Sequence, residues 1–501
     1  MKHFGIVLFF FAAICIAGAQ ADSPAISETN SATRALSLQD CIQQALTHNL
    51  DVQIERYTPK ISLYDLDAAY GGWDPVFTAS GQHNYNVTGG GLDQNQLPIP
   101  PARSDQNSFR SGLAGSTPWG MTYNLSGNIA DKYGATATPF ENSAGAVSAS
   151  VTQPLLRNFW IDNTRLTIRV AKNRLKYSEQ GLRQQIINTV TAVANAYYEL
   201  VYARENVKVQ QEALELAKTQ LNQDKQRSQI GTIAELDVQQ DEAQAAQSQA
   251  NLIAAEDTLS VDENTLKNLL TDDYKKWHDV DVQPSETLAA TMESFNLQDS
   301  WNKGMSERPD LLQTRLNVEQ QGIQLKFYRN QLFPELDLIG TYGFNGTGTE
   351  FSDAFGQIHE ANRPFYTYGA QLSMPLGNFG PRNRLKTSKA TLQQVLLQLK
   401  QFEQNVMVEI DNAVKNAQSK YQSVEATKQA RIYAEAALDA EQKKYAVGKS
   451  TTFTVLQLQN NLTAARSQEI RALADYNEAL ANLAAQEGST LEKNGIDIAA
   501  K

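Results

Sequence analysis

From Leu392 onward the chain sets apolar residues three and four apart, with Val395, Leu399, Phe402, Val406, Ile410, Ala413, Ala417, Tyr421 and Val424 following on one stripe. That spacing is a coiled-coil seam. An earlier tract carries the same stripe in Leu182, Ile186, Val190, Val193, Tyr197 and Leu200. No proline falls between Pro154 and Pro284 or after Pro381, and both tracts are rich in good helix formers, so both predict long unbroken helices. A helix from Arg165 to Ile230 would be about 100 Å long and needs partners along its whole length. Gly231 and Gly448 stand where each stripe stops and a new helix starts, which predicts the tip of a helical hairpin at each. The returning helices, about Ala234 to Leu270 and Phe453 to Gln486, are half as long. So are the helices that open each half, Leu38 to Tyr70 and Leu297 to Leu332. One of each laid end to end matches one long helix and supplies its partner.

The segments between opening and long helices change period. In Glu335 to Phe344 one face carries Leu336, Leu338, Gly340, Tyr342 and Phe344; in Tyr366 to Met374 one face carries Tyr366, Tyr368, Ala370, Leu372 and Met374. Alternating segments of about ten residues with aromatics near their ends mark membrane barrel strands. Leu336, Leu338, Tyr342, Tyr366, Tyr368 and Leu372 are therefore expected to face lipid, and Asp337, Thr341, Thr367 and Gln371 a lumen. The earlier half repeats the pattern with Phe77, Ala79, Gly81, His83, Tyr85 and Val87, and again with Val147, Ala149 and Val151. Between them lies an extra alternating pair, Phe109 to Gly115 and Trp119 to Ile129, joined at Ser116-Thr117-Pro118 and flanked by polar loops at Gly89 to Gln106 and Asp131 to Asn142. The competing reading is a hairpin covering one side of a soluble scaffold. The barrel is preferred because the coiled-coil tracts leave no separate globular core for that face to cover.

The two halves are copies. SLQDCIQQALTHNLDVQ from Ser37 is echoed by NLQDSWNKGMSERPDLLQ from Asn296, and a constant shift puts Asp40 on Asp299, Asp51 on Asp310, Leu66 on Leu325 and Pro75 on Pro334. The expected organisation is two tandem repeats. Residues 1–21, with Lys2, an apolar run and Ala19-Gln20-Ala21, read as a signal peptide, and 22–35 as a flexible segment. Residues 36–290 form the first repeat, with a β segment at 75–153 and a tip near 231. Residues 291–487 form the second, with a β segment at 335–374 and a tip near 448, before a tail at 488–501.

Composition narrows the function. A net charge of −11 argues against nucleic acid. No later run of about 18 apolar residues exists, so the exported chain is expected to be soluble or to use a β-barrel. Past the leader, Cys41 is the single cysteine and reads as a packing residue. His48, His83, His278 and His359 are scattered without zinc-ligand spacing, and there is no phosphate loop or nucleophile elbow. The expectation is a protein that is not an enzyme and needs no cofactor or metal.

The chain resembles the TolC-like outer-membrane efflux family over nearly all of its length past the leader. The residues that carry the resemblance are Asn49-Leu50-Asp51 and Arg308-Pro309-Asp310-Leu311 in the paired openings, Gln153-Pro154-Leu155 and Met374-Pro375-Leu376 at the strand-to-helix prolines, and Lys444-Tyr445-Ala446-Val447-Gly448 at the second tip. The resemblance implies a mainly α fold with membrane β: a homotrimer sharing one outer-membrane β-barrel and one long periplasmic α-barrel. Its partners would be outer-membrane lipid, a periplasmic adaptor (membrane fusion protein) and an inner-membrane pump, for efflux or type I secretion from a Gram-negative cell. The alternative is a periplasmic coiled-coil adaptor or scaffold. Resemblance also places adaptor contacts at Arg227, Ser228, Gly231, Lys444 and Gly448, and an entrance constriction at Tyr445, Ser450, Thr454, Gln457 and Asp237. Relatives carry two aspartates one turn apart where Thr454 and Gln457 stand, and an arginine where Ser450 stands. A ring of Thr and Gln has no formal charge, so charge at the entrance would come from Glu235 and Asp237 or from Lys443, Lys444 and Lys449.

Overall fold

The structure, a computed structural model, describes residues 33–135 and 139–496. The expected signal peptide, residues 22–32 and the last five residues of the tail lie outside the described residues. In chain order the helices are α1 (Leu38–His48), α2 (Leu50–Glu55), α3 (Tyr57–Tyr70), α4 (Asn163–Gln229), α5 (Glu235–Leu270), α6 (Tyr274–Trp277), α7 (Leu297–Glu307), α8 (Pro309–Asn330), α9 (Phe351–His359), α10 (Phe379–Ala446), α11 (Thr452–Glu487) and α12 (Thr490–Lys493). The strands are β1 (Thr33–Leu36), β2 (Val76–Thr88), β3 (Gly91–Leu92), β4 (Pro98–Ile99), β5 (Ala102–Ser116), β6 (Thr122–Ala135), β7 (Pro139–Pro154), β8 (Asp281–Pro284), β9 (Glu335–Gly348) and β10 (Pro364–Ser373).

Two long helices organise the chain: α4 has 67 residues and α10 has 68, while the returning α5 and α11 have 36 each. At 1.5 Å per residue the long pair runs about 100 Å. The rest of each long helix packs on the opening helices, α3 and α8 on α4 and α8 on α10, and α11 bridges back to α4. The opening helices are not continuous as expected; they break at Asn49 and Arg308. Asn49 is extended, and its Oδ1 accepts from the N–H groups of Asp51 at 3.0 Å and Val52 at 3.2 Å, starting a new helix. Arg308 precedes Pro309, which disfavours the helical conformation. Its guanidinium forks onto Asp310 at 3.1 and 2.6 Å and also donates to Glu409 at 2.7 Å and Gln486 at 2.9 Å.

These breaks tie each opening helix into a core at the middle of a long helix. Cys41, Ile42 and Val52 pack with Ile187, Val193, Tyr197, Leu200, Leu266 and Leu270; in the second repeat Val406, Ile410, Ala417 and Leu483 pack with Leu297, Trp301 and Met305. The repeat offset puts Ala45 on Gly304, both small because the long helix passes close. A Cβ at Gly304 would overlap Ile410 Cδ1. Burial pushes the Cys41 thiol up to about 12, as an inert packing residue requires. Residues 33–35, expected in a flexible lead-in, instead belong to β1, which pairs in parallel with β8. Tyr197 donates its hydroxyl to Leu36 O at 3.2 Å, which fixes that ribbon to the core. At the other end Leu491 of α12 is buried in the same core.

The six long strands form one antiparallel sheet in the order β10-β9-β7-β6-β5-β2. The extra hairpin, β5 and β6, is thus inserted in the sheet between the strands of the first repeat. Register pairs Phe77 with Leu113, Leu113 with Leu125, Leu125 with Ala149, Ala149 with Tyr342 and Tyr342 with Tyr366. One face is therefore apolar across all six strands, and the other carries Thr78, Gly112, Asn124, Ser150, Thr341 and Thr367. Trp119 and Met121, expected within a strand, lie at the turn, where Gly120 takes φ +89°. The loops are shorter than expected, because β5 begins at Ala102 and β6 runs to Ala135. In this far end polar pairs such as Ser143 on Asp131 at 2.7 Å and Arg103 on Asp105 at 3.0 Å replace the apolar alternation. The second β segment is likewise interrupted by α9. That helix lies on the apolar face, with Phe351 edge-on to Phe109 at 6.2 Å and Ala354 against Gly346.

Two glycines in the second opening should respond in opposite ways. Gly304→Val overfills the contact with Ile410 and should lower stability by about 1–3 kcal/mol. Gly322→Ala, which has open space around it in the helix interior, should raise it by about 0.5–1 kcal/mol. Urea unfolding followed by circular dichroism measures both.

Candidate functional site: the helical tips

Both hairpins turn on a glycine with a positive φ, +78° at Gly231 and +75° at Gly448, a conformation that side chains rarely adopt. The hydrogen bonds match as well. Thr232 N–H donates to Arg227 O and Lys449 N–H to Lys444 O, both at 2.9 Å, each closing the last turn of a long helix. Thr451 caps α11, accepting from Thr454 N–H at 3.4 Å. Ser450 donates to Glu441 at 2.6 Å, and Lys444 meets the same carboxylate at 2.8 Å. Lys444 and then Ser450 hold the Glu441 carboxyl below the usual range.

The tips are joined by one buried acid. Tyr445 donates its hydroxyl to Asp224 Oδ2 at 2.8 Å and lies 3.0 Å from Thr452 Oγ1. Gln220 Nε2 donates to the same Asp224 oxygen at 2.6 Å, and Arg227 approaches the other at 3.5 Å while covering the Tyr445 ring at 5.2 Å. Asp224 is 0% exposed. Burial, ahead of the polar neighbours, raises the Tyr445 phenol above its ordinary value. Arg227 and Tyr445 are thus brought together, through a residue the sequence reading passed over. The available signal was the spacing of Gln220, Asp224 and Arg227, which continue the seam of Leu214 and Ala217 with polar side chains.

The other expected residues fall around this latch. Thr454 and Gln457 sit one turn apart on α11, Thr454 half-buried against Thr451 at 2.9 Å and Gln457 exposed. Asp237 is half-buried in the first turn of α5, and among the described residues no hydrogen bond or ion pair joins it to Thr454 or Gln457. Ser228, Gly231, Lys444 and Gly448 all lie in the two turns. A matching apolar pair flanks each glycine, Ile230 with Leu236 and Val447 with Phe453, all exposed in the protomer. Their shared exposure escaped the sequence reading, although their offsets from Gly231 and Gly448 are identical.

At the opposite end, Leu336, Leu338, Tyr342, Tyr366, Tyr368 and Leu372 share one surface. Leu336 pairs with Leu372 and Tyr342 with Tyr366. Tyr368 is 83% exposed, and its ring stacks on Tyr366 at 6.4 Å. Trp119, Trp160, Phe333 and Phe379 stand exposed where the strands give way to turns or helices.

Comparison with known proteins gives the same answer from outside the chain. The family model described as outer membrane efflux protein matches residues 103–271 and 302–489. Outer membrane protein TolC of Salmonella enteritidis is 26% identical over 293 residues, 58% of each chain. That of Escherichia coli (strain K12) is 25% identical over 378 residues, 74% of this chain and 73% of the other. The solved structure of the outer-membrane channel OprN superposes with a TM-score of 0.68 at 17% identity, covering 90% of both chains.

Tyr445→Phe removes a hydrogen bond to a buried carboxylate, which is worth about 1.5–3 kcal/mol. Amide hydrogen exchange in the 441–455 segment should accelerate roughly ten- to hundredfold, with the two mid-helix cores unchanged.

Proposed function

This chain belongs to the outer membrane efflux protein family, and from that premise we propose that three copies form an exit duct whose barrel spans the outer membrane and whose helical tips receive cargo in the periplasm. The observation that carries the reading is the six-stranded sheet, with an apolar band running across all six strands on one face, mounted on the ends of two helices of about 100 Å. Its outer strands, β2 and β10, each have one unpaired edge. A barrel needs about eight strands at least, so one copy cannot close, whereas three make about eighteen. The apolar face, with Leu336, Leu338, Tyr342, Tyr366, Tyr368 and Leu372, meets lipid; Asp337, Thr341, Thr367 and Gln371 line the lumen. A scaffold would leave that face uncovered.

At the other end Arg227, Ser228, Gly231, Lys444 and Gly448 meet a periplasmic adaptor that links the duct to an inner-membrane pump. The exposed Ile230, Leu236, Val447 and Phe453 give that contact an apolar component. Thr454 and Gln457 narrow the entrance, with Tyr445, Ser450 and Asp237 beside them. The duct performs no catalysis: it supplies a lined path and a gate, and the pump supplies the energy.

Leu338→Arg should cost about 2–4 kcal/mol in assembly if it faces the middle of the bilayer, against little for Thr341→Arg. Heat-modifiable trimer migration after each substitution measures the difference; equal assembly would reverse the face assignment. Planar-bilayer conductance tests the duct itself. The wild type should conduct with weak cation selectivity and resist block by a trivalent cation added from the periplasmic side, because Thr454 and Gln457 are neutral. Thr454→Asp with Gln457→Asp should create that block.

A further inference from the structure

Asp241 on α5 is 1% exposed, and among the described residues neither of its carboxylate oxygens has a hydrogen-bond partner. An ionised carboxylate cannot sit there alone. Facing it on α4 is another buried carboxylate, Asp224: the residues next to the two acids, Lys225 and Glu242, pair across the same two helices at 2.8 Å. Asp224 is well supplied: Gln220 and Tyr445 donate to one oxygen and Arg227 approaches the other. Asp241 has no donor and must therefore become one. We propose that in the closed entrance Asp224 and Asp241 hold one proton between them, carried on Asp241 and donated to Asp224, and that parting the two hairpins releases it.

The surrounding charges fit a single proton. On α4, Arg227 balances the one negative charge that remains, while Lys225 is engaged at 2.8 Å by Glu242 of α5. On α5, Asp237 adds further negative potential. From α10 comes the neutral Tyr445, with Lys444 held away by Glu441, and from α11 the hydroxyl of Thr452. Burial first, then the Asp224 charge, pushes the Asp241 carboxyl up to about 7. Once Tyr445 leaves and water enters, Asp241 returns toward an ordinary carboxylate near 4, and the two ionised acids repel. The sign follows. Closure binds the extra proton, so its contribution is complete below about 4 and is lost as pH rises through about 7. Between these limits the ratio of open to closed entrance should rise by up to about tenfold per pH unit for each protomer.

That coupling rests on reading the tips as the entrance of a duct, so the test has two readouts on the full-length protein in detergent or bilayer. Infrared difference spectra between pH 5.5 and 8.5 should contain a protonated-carboxyl stretch that Asp241→Asn abolishes. Open probability in planar bilayers should rise over the same range in the wild type. In Asp241→Asn, whose amide donates to Asp224 at every pH, it should stay at the low-pH level; Asp224→Asn should also lose the slope. Absence of the stretch in the wild type, or its survival in Asp241→Asn, overturns the proton site. A stretch that behaves as expected beside a pH-independent open probability overturns the latch. The same stretch in a protein that forms no channel upholds the proton site and overturns the duct reading instead.

Discussion

A sheet edge in lipid must be paired, because no water is there to satisfy its N–H and C=O groups. The six-stranded sheet has two such edges, at β2 and β10, and this constraint drives the rest of the architecture. In the proposed trimer, strands from other copies complete the ladder. Helices continuing from each strand bundle would then be drawn into a ring of the same symmetry, which the end-to-end matching of half-length with full-length helices would keep closed over about 100 Å. The extra hairpin enlarges the wall without adding an edge, since β5 and β6 are paired on both sides.

Much of this was legible because the helices and membrane strands obey strict periods. The seam from Leu392 to Val424 and the glycines at 231 and 448 marked the hairpins, and the alternation around Leu338 and Tyr366 marked one face of the sheet. The signal failed where a period ends or a polar group occupies a periodic position. Beyond the apolar band, β5 to β7 continue through Asp105, Asp131 and Ser143, where alternation no longer sorts apolar from polar. The break at Arg308 was obscured by a continuous apolar stripe, although Pro309 stood in it. Asp241 was indistinguishable in sequence from acids on a solvated helix face, and Asp224 was marked only by continuing the seam of Leu214 and Ala217. Their burial depends on a second hairpin more than two hundred residues away in the chain.

Packing along α4 is graded accordingly. Its middle is filled by Ile187, Val193, Tyr197 and Leu200, while toward Gly231 the seam passes to Gln220, Asp224 and Arg227. Apolar burial there is split into small clusters, Leu214 with Leu252, and Leu438, Val455 and Leu462 with Leu216. A polar seam contributes less stability than an apolar one and can be rewetted, so on the proposed reading of the tips as an entrance, the end that opens is also the end that opens at least cost. The membrane end, held by ladder hydrogen bonds, stays rigid.

Charge placement sharpens the distinction between opening and selecting. Aspartates facing a pore would both set ion preference and contribute to a closed ring, so neither property could change without the other. At the proposed entrance Thr454 and Gln457 occupy such positions, and the buried acids lie between α4, α5 and α10 instead. A carboxylate in that seam acts on the association of the hairpins and is shielded from the lumen by the helices that bury it. On the proposed reading, a proton or a docking partner tightens or loosens the entrance without altering which cargo the lumen tolerates, an arrangement suited to a duct whose choice of cargo is made elsewhere.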